Sequence, residues 1–238
     1  MATVRIPRPG GEMVLYVAVP EGGGPWPGVV VIHDGLGMTS DLRNHANWLA
    51  RAGYLAVAPD LYYLGGRLRC LVRVMRAAAA GQGPAFGDLE AARGWLTDHR
   101  DCTGRVGVIG FCLGGGFALL LATTGAYGAS SVNYGTVPDD AMTRLADACP
   151  VVASYGAKDR SLRDAPQQLR RALAAHGIEH DLRVYPDAGH SFLNKHGRGE
   201  MPVWALVMGK LVNAGYHQPS AVDARQRIIA FFDAHLRS

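Results

Sequence analysis

Short apolar runs that end at glycine, proline or an acidic residue recur along the chain and alternate with segments of helical spacing. Gly28-Val29-Val30-Val31-Ile32-His33, Tyr54 to Ala58 and Val151 to Tyr155 are almost continuously apolar, as strands covered on both faces are. Met13 to Val19 reads as the first strand, and Arg105 to Ile109, Ala129 to Tyr134 and Asp181 to Tyr185 supply three more. Ser40 and Asp41 can cap a helix that runs to about Ala52, with Ala46, Leu49 and Ala50 near helical spacing. Further helices are expected from about Gly87 to His99, Ala165 to His176 and Ala221 to Leu236. Such alternation predicts an α/β fold with a mostly parallel central sheet and helices on both faces. Only Asn194 to Pro219, rich in Met, Trp and Gly, breaks the rhythm. It reads either as a lid or as a helical insertion that completes the packing.

Composition narrows the class. The 238 residues, 48% of them hydrophobic, can bury roughly 70% of their unfolded surface, so a single domain over residues 1–238 is expected. The net charge of +4 is dispersed. Arg67, Arg69, Arg73 and Arg76 make the densest positive stretch, which suits a solvated helix face or an anion contact. Without base-stacking aromatics or a known module beside it, no nucleic-acid partner is expected.

Cys70, Cys102, Cys112 and Cys149 form no CxxC pair and no zinc spacing. They read as free thiols in a reducing compartment, with no metal site. No apolar signal region opens the chain and no run reaches membrane length, so the expectation is a soluble cytoplasmic monomer or homodimer without a membrane partner. No Gly-x-Gly-x-x-Gly is followed by a ribose-binding acid, and no cofactor is expected.

The chemistry gathers at Gly110-Phe111-Cys112-Leu113-Gly114, directly after an apolar strand and directly before the helix-like run Gly115-Gly116-Phe117-Ala118-Leu119-Leu120-Leu121. A strand that turns at once into a helix strains its turning residue and crowds backbone on both sides, which glycines at −2 and +2 permit. This is the nucleophile-elbow pattern with sulfur in place of the usual hydroxyl. A helix N-terminus favours a thiolate, yet it lowers a thiol by at most about 1.5 pKa units, so a base is also needed.

His190, in Ala188-Gly189-His190-Ser191-Phe192 just past a strand, is the best candidate base. His33 ends a strand and is a rival, but it precedes the nucleophile. His45, His99, His176, His180, His196, His217 and His235 lie in helical or polar stretches and are expected to be solvated. An imidazole that gains charge needs a carboxylate on its other nitrogen. Asp159, after the strand Val151 to Tyr155, answers this in the order nucleophile, acid, histidine; alone it would pass for a turn residue. An acyl-transfer oxyanion would be met by the backbone N–H of Leu113 and, from the loop His33-Asp34-Gly35-Leu36-Gly37, that of Gly35.

With these residues in hand, the chain resembles the dienelactone hydrolase (carboxymethylenebutenolidase) family of the α/β-hydrolase superfamily. The resemblance rests on the Cys112 elbow, Ala58-Pro59-Asp60-Leu61-Tyr62, Asp88-Leu89-Glu90-Ala91-Ala92, Ala188-Gly189-His190-Ser191-Phe192 and Phe231-Phe232-Asp233-Ala234-His235-Leu236. It implies an α/β-hydrolase fold and a Cys112, Asp159 and His190 triad that opens a small ester or lactone through a thioester. It also implies that Asp34 stands where a family carboxylate contacts the resting thiol and helps gate its ionisation. The family's two substrate-binding arginines are absent: the matching positions are approximately Leu64, and Asn194. A less acidic or different ester is therefore expected, bounded by Tyr62, Tyr63, Arg67, Phe192 and Trp204. An acyltransferase or thioesterase with the same triad, or a binding protein that has lost turnover, are the alternatives.

Overall fold

The structure, a computed structural model, describes residues 2–197 and 199–237 apart from the side chains of Arg67, Trp204 and Met208. In chain order the elements are β1 (Ala2–Arg8), β2 (Gly11–Ala18), β3 (Trp26–Ile32), α1 (Ser40–Arg51), β4 (Leu55–Pro59), α2 (Arg67–Ala80), α3 (Pro84–Thr97), β5 (Cys102–Phe111) and α4 (Leu113–Leu121). They continue as β6 (Ala129–Asn133), α5 (Ala141–Arg144), β7 (Val151–Gly156), α6 (Ala165–Ala175), β8 (His180–Tyr185), α7 (Val203–Leu211) and α8 (Gln218–Leu236).

The eight strands form one sheet in the order β1-β2-β4-β3-β5-β6-β7-β8. The β1–β2 and β2–β4 pairings are antiparallel, and every pairing from β4 to β8 is parallel. This is the α/β-hydrolase architecture anticipated from the alternation of elements. The loops after β3, β5, β7 and β8 therefore open on one edge, where open parallel sheets place their ligands.

Alternation within β3 decides which layer each residue joins. Val29 and Val31 pack with Leu42, Ala46 and Leu49 of α1 and Ile228 and Phe232 of α8. Val30 and Ile32 pack on the opposite face with Val74 of α2, Leu89 and Leu96 of α3, and Phe117 and Leu121 of α4. A period-2 strand feeding two helical layers explains why these runs carry almost no polar residues.

Three sequence expectations change. The first strand is β1, not the run beginning at Met13; Pro7 and Pro9 argue against a strand, yet β1 is an edge, where proline is tolerated. The arginine-rich stretch is the helix α2, but Arg73 is not merely solvated: it reaches the Leu61 carbonyl at 2.9 Å and lies over the Tyr63 ring. At α1 the cap is Thr39, whose hydroxyl accepts from Leu42 N–H at 3.3 Å, while Asp41 turns inward and is buried. Among the described residues no helix is long and apolar enough to cross a membrane.

Candidate active site

Cys112 sits between β5 and α4 with φ 53° and ψ −113°, a backbone region that costs a non-glycine residue about 1–3 kcal/mol. Its surroundings leave no other course. A Cβ on Gly110 would lie 1.9 Å from the Gly114 carbonyl oxygen, and one on Gly114 would lie 2.5 Å from that of Ile32 and 2.6 Å from that of His33. A Cβ on Gly115 would meet the Asn133 carbonyl oxygen at 2.7 Å. The Cys112 N–H donates to that same Asn133 carbonyl at 3.0 Å. Three glycines thus let α4 press against β3 and β6, and the backbone fixes where the sulfur stands.

His190 follows β8 and Asp159 follows β7. Their side chains meet, with Nδ1 of His190 2.6 Å from Oδ2 of Asp159. Asp159 is buried, and its Oδ1 accepts from both the N–H and the hydroxyl of Ser161, at 2.9 and 2.6 Å. Burial alone would raise the Asp159 carboxyl, but His190 and Ser161 hold it below the ordinary carboxylate range. Burial likewise opposes charge on His190; the Cys112 sulfur and Asp159 outweigh it and raise the imidazole to about 10. Cys112 and His190 line the same cavity, and the sulfur is the first of the groups that favour the charged imidazole, so the ring stands between sulfur and carboxylate electrostatically. The loop is backed by residues 212–215: His190 N–H donates to the Val212 carbonyl, and Gly215 N–H to that of His190.

The loop after β3 reaches the same cavity as the sulfur. Asp34 Oδ1 accepts from Leu36 N–H at 2.8 Å, and Tyr62 OH donates to the Gly35 carbonyl at 3.0 Å. His33, driven below its ordinary value by burial and so neutral, bonds the Asp34 carbonyl at 2.6 Å. It does not line the cavity, which removes it as a rival base. Asp34 Oδ2 lies 3.1 Å from Nε2 of His196. Next along that segment, Asn194 donates to Asp41 Oδ2 at 2.7 Å and accepts from Tyr134 OH, while Lys195 N–H donates to Asp41 Oδ1 at 2.9 Å. Burial would push Asp41 up, but the His45 ring 3.4 Å away and these donors hold it at about 2.

Cys112, His190, Asp34 and Gly35 line one cavity of about 690 Å³, a size suited to a small molecule. The remaining wall comes from the irregular segment and α7: His196, Met201, Leu206, Val212 and Tyr216 contribute, with Lys195 and Lys210. The helix α7 also exposes Val203, Val207 and Leu211 on its outer side. Among the described residues, no three His, Cys, Asp or Glu side chains converge as a metal site.

Several expected substrate contacts lie elsewhere. Phe192 is fully buried and packs on Tyr134 and Tyr185. Tyr62 supports Gly35 from behind, and Tyr63 turns to Asp88 at 3.3 Å. Neither tyrosine lines the cavity. The side chains of Arg67 and Trp204 are outside the described residues. Leu64 neighbours Gly10 and Gly11 in the β1–β2 hairpin, and Asn194 is committed to Tyr134 and Asp41. Two histidines expected in solvent are not there: His45 is buried against Phe111, ring centroids 4.0 Å apart, and His196 faces Asp34. Sequence reasoning also missed Ser161, whose spacing of two from Asp159 is an Asx-turn signal. For His196 the chain offers no periodic cue.

Residues 13–236 match the dienelactone hydrolase family. A Yersinia pestis protein provisionally described as a carboxymethylenebutenolidase is 28% identical, over 97% of this chain and 86% of its own. The carboxymethylenebutenolidase of Rhodococcus opacus is 28% identical over 96% of this chain and 89% of its own. A solved Klebsiella pneumoniae structure, provisionally described as a dienelactone hydrolase, superposes with a TM-score of 0.79 at 29% identity, covering 97% of each chain. With its eight-stranded sheet and matched length, the chain belongs to the dienelactone hydrolase family of α/β-hydrolases.

Proposed function

We propose that the chain hydrolyses a small carboxylic ester or lactone with Cys112 as nucleophile, through a thioester. The observation that carries this reading is the Asp159–His190 pair, 2.6 Å apart, whose imidazole lines one cavity with the Cys112 elbow. The sulfur attacks the carbonyl carbon as thiolate, paired with imidazolium. The N–H groups of Leu113 and Gly35 receive the oxyanion. As the C–O bond breaks, His190 gives its proton to the leaving alkoxide, which in a lactone stays tethered to the acyl group. His190 then takes a proton from water, the hydroxide displaces sulfur from the thioester, and the acid leaves. Asp159 keeps the ring in one tautomer and stabilises its charge throughout.

The cavity lining supports a mainly apolar substrate, and Lys195 and Lys210 are the contacts for negative charge it carries. Asp34, beside the oxyanion loop, is read as the carboxylate that tunes the resting thiol. The four free cysteines support a reducing, cytoplasmic setting. Hydrolysis of an activated ester by wild type and Cys112→Ala tests the reading. A loss of roughly 10³-fold or more is expected, together with an acyl adduct on Cys112 in quenched wild type. Equal rates in the two proteins would sink the cysteine mechanism.

A further inference from the structure

His196 is a second imidazole on the cavity wall, and its circumstances differ from those of a packed core histidine. Its side chain is 9% exposed, Nε2 faces Asp34 Oδ2 at 3.1 Å, and Nδ1 is buried with no hydrogen-bond partner among the described residues. Among the described residues one polar contact therefore holds the ring. The segment carrying it is strapped to the start of α1: Glu200 accepts from Ser40 N–H at 2.7 Å, from the Ser40 hydroxyl at 2.9 Å and from Gly197 N–H at 2.9 Å. Asp34 in turn belongs to the loop that presents Gly35, so the ion pair joins that loop to the wall opposite.

We propose that His196 is a positioning residue whose positive charge compensates Asp34, so that Cys112 can ionise and an oxyanion can form beside that carboxylate. The proposal rests on the cysteine-hydrolase reading and adds a regulator to it. An uncompensated carboxylate in the cavity wall would oppose both the thiolate and the oxyanion, since each places a second negative charge in a partly desolvated site. Asp34 from the loop after β3, Asp41 from α1 and Glu200 from its own segment act on His196 as acids, while Lys195 beside it, Lys210 of α7, His190 and Cys112 are the other titratable groups that line the same cavity. Burial opposes its protonation, and these acids, Asp34 first, raise it above the ordinary imidazole value. The compensation is thus lost as pH rises through that raised value.

Alkylation of Cys112 by iodoacetamide, followed against pH, reads the thiolate without requiring turnover. His196→Gln keeps a hydrogen-bond donor and removes the charge. It is expected to slow alkylation at neutral pH about tenfold, the effect of roughly one pKa unit on the thiol, and to lower kcat/KM with it. In an Asp34→Asn background the same substitution should change alkylation less than twofold, because there is no carboxylate left to compensate. A wild-type alkylation profile in His196→Gln, or an equal penalty with and without Asp34, would overturn the proposal. Hydrolysis surviving in Cys112→Ala would instead remove the cysteine reading, and the alkylation cycle would still report on the ion pair.

Discussion

Two carboxylate–imidazole pairs stand at the cavity that Cys112 lines, and they are built in opposite ways. Asp159 and His190 stand directly behind adjacent parallel strands, β7 and β8, so the sheet itself sets their separation. Asp34 stands behind β3, but its partner His196 comes from an irregular segment held by side chains: Glu200 on Ser40, and Asn194 and Lys195 on Asp41. The first pair inherits its geometry from backbone hydrogen bonding. The second depends on a few polar contacts, each worth about 1 kcal/mol or somewhat more where charge is involved. Similar chemistry on the two sides therefore carries different tolerance: one side is fixed with the fold, and the other can be loosened while the fold persists.

The sharpest way to break this comparison is at the elbow. Gly110→Ala drives a methyl into the Gly114 carbonyl, with only backbone there to yield. A loss above about 3 kcal/mol is expected, seen as a collapse of soluble yield or of the urea midpoint; a mild effect would show that the elbow is not set by backbone packing. Next comes Asp159→Asn, which should lower kcat/KM by roughly 10³-fold while the far-UV circular dichroism stays that of the folded chain. Retained activity would mean that the strand-borne pair does not orient the base.

On the other side, Asp41→Asn addresses the anchor of the irregular segment. The carboxyl lies at about 2 against an ordinary 3.8, so its charge stabilises the fold above pH 4 and ceases to do so as pH falls through 2. The variant should be less stable at neutral pH by on the order of 2 kcal/mol, and the gap should narrow as unfolding is measured from pH 4 downward. A gap independent of pH would contradict this assignment. The smallest effect belongs to Glu200→Ala. Global stability should change by no more than about 0.5–1 kcal/mol, yet amide exchange at Ser40 and Gly197 should quicken markedly. Unchanged exchange there would show that the strap does not hold the segment.

The same division governs what the sequence made legible. The elbow, Asp159 and His190 could be read because strand ends announce themselves through apolar runs, and the fold fixes their order. Asn194, His196 and Glu200 have no such cue: their partners Asp41, Asp34 and Ser40 lie about 150 or more residues away, in a segment without period. The aromatic candidates went astray for another reason. Tyr63 and Phe192 were named for their side chains, but which side each faces is set by local turns, and both turn from the cavity. His45 looks solvated in the sequence because a polar residue on a helix usually is; in the structure it stacks on Phe111 beneath α1.

The backbone at Cys112 carries a consequence for how the chain can evolve. Its positive φ is a conformation that glycine adopts freely and every other residue resists. Drift toward a more robust fold would thus favour glycine at this position, as at Ser191 and Asn213, and under the proposed mechanism the need for a sulfur opposes it. A thermostability screen run without an activity filter would be expected to admit glycine at residue 112, which under that mechanism makes the position a sensitive marker of whether a lineage still uses its site.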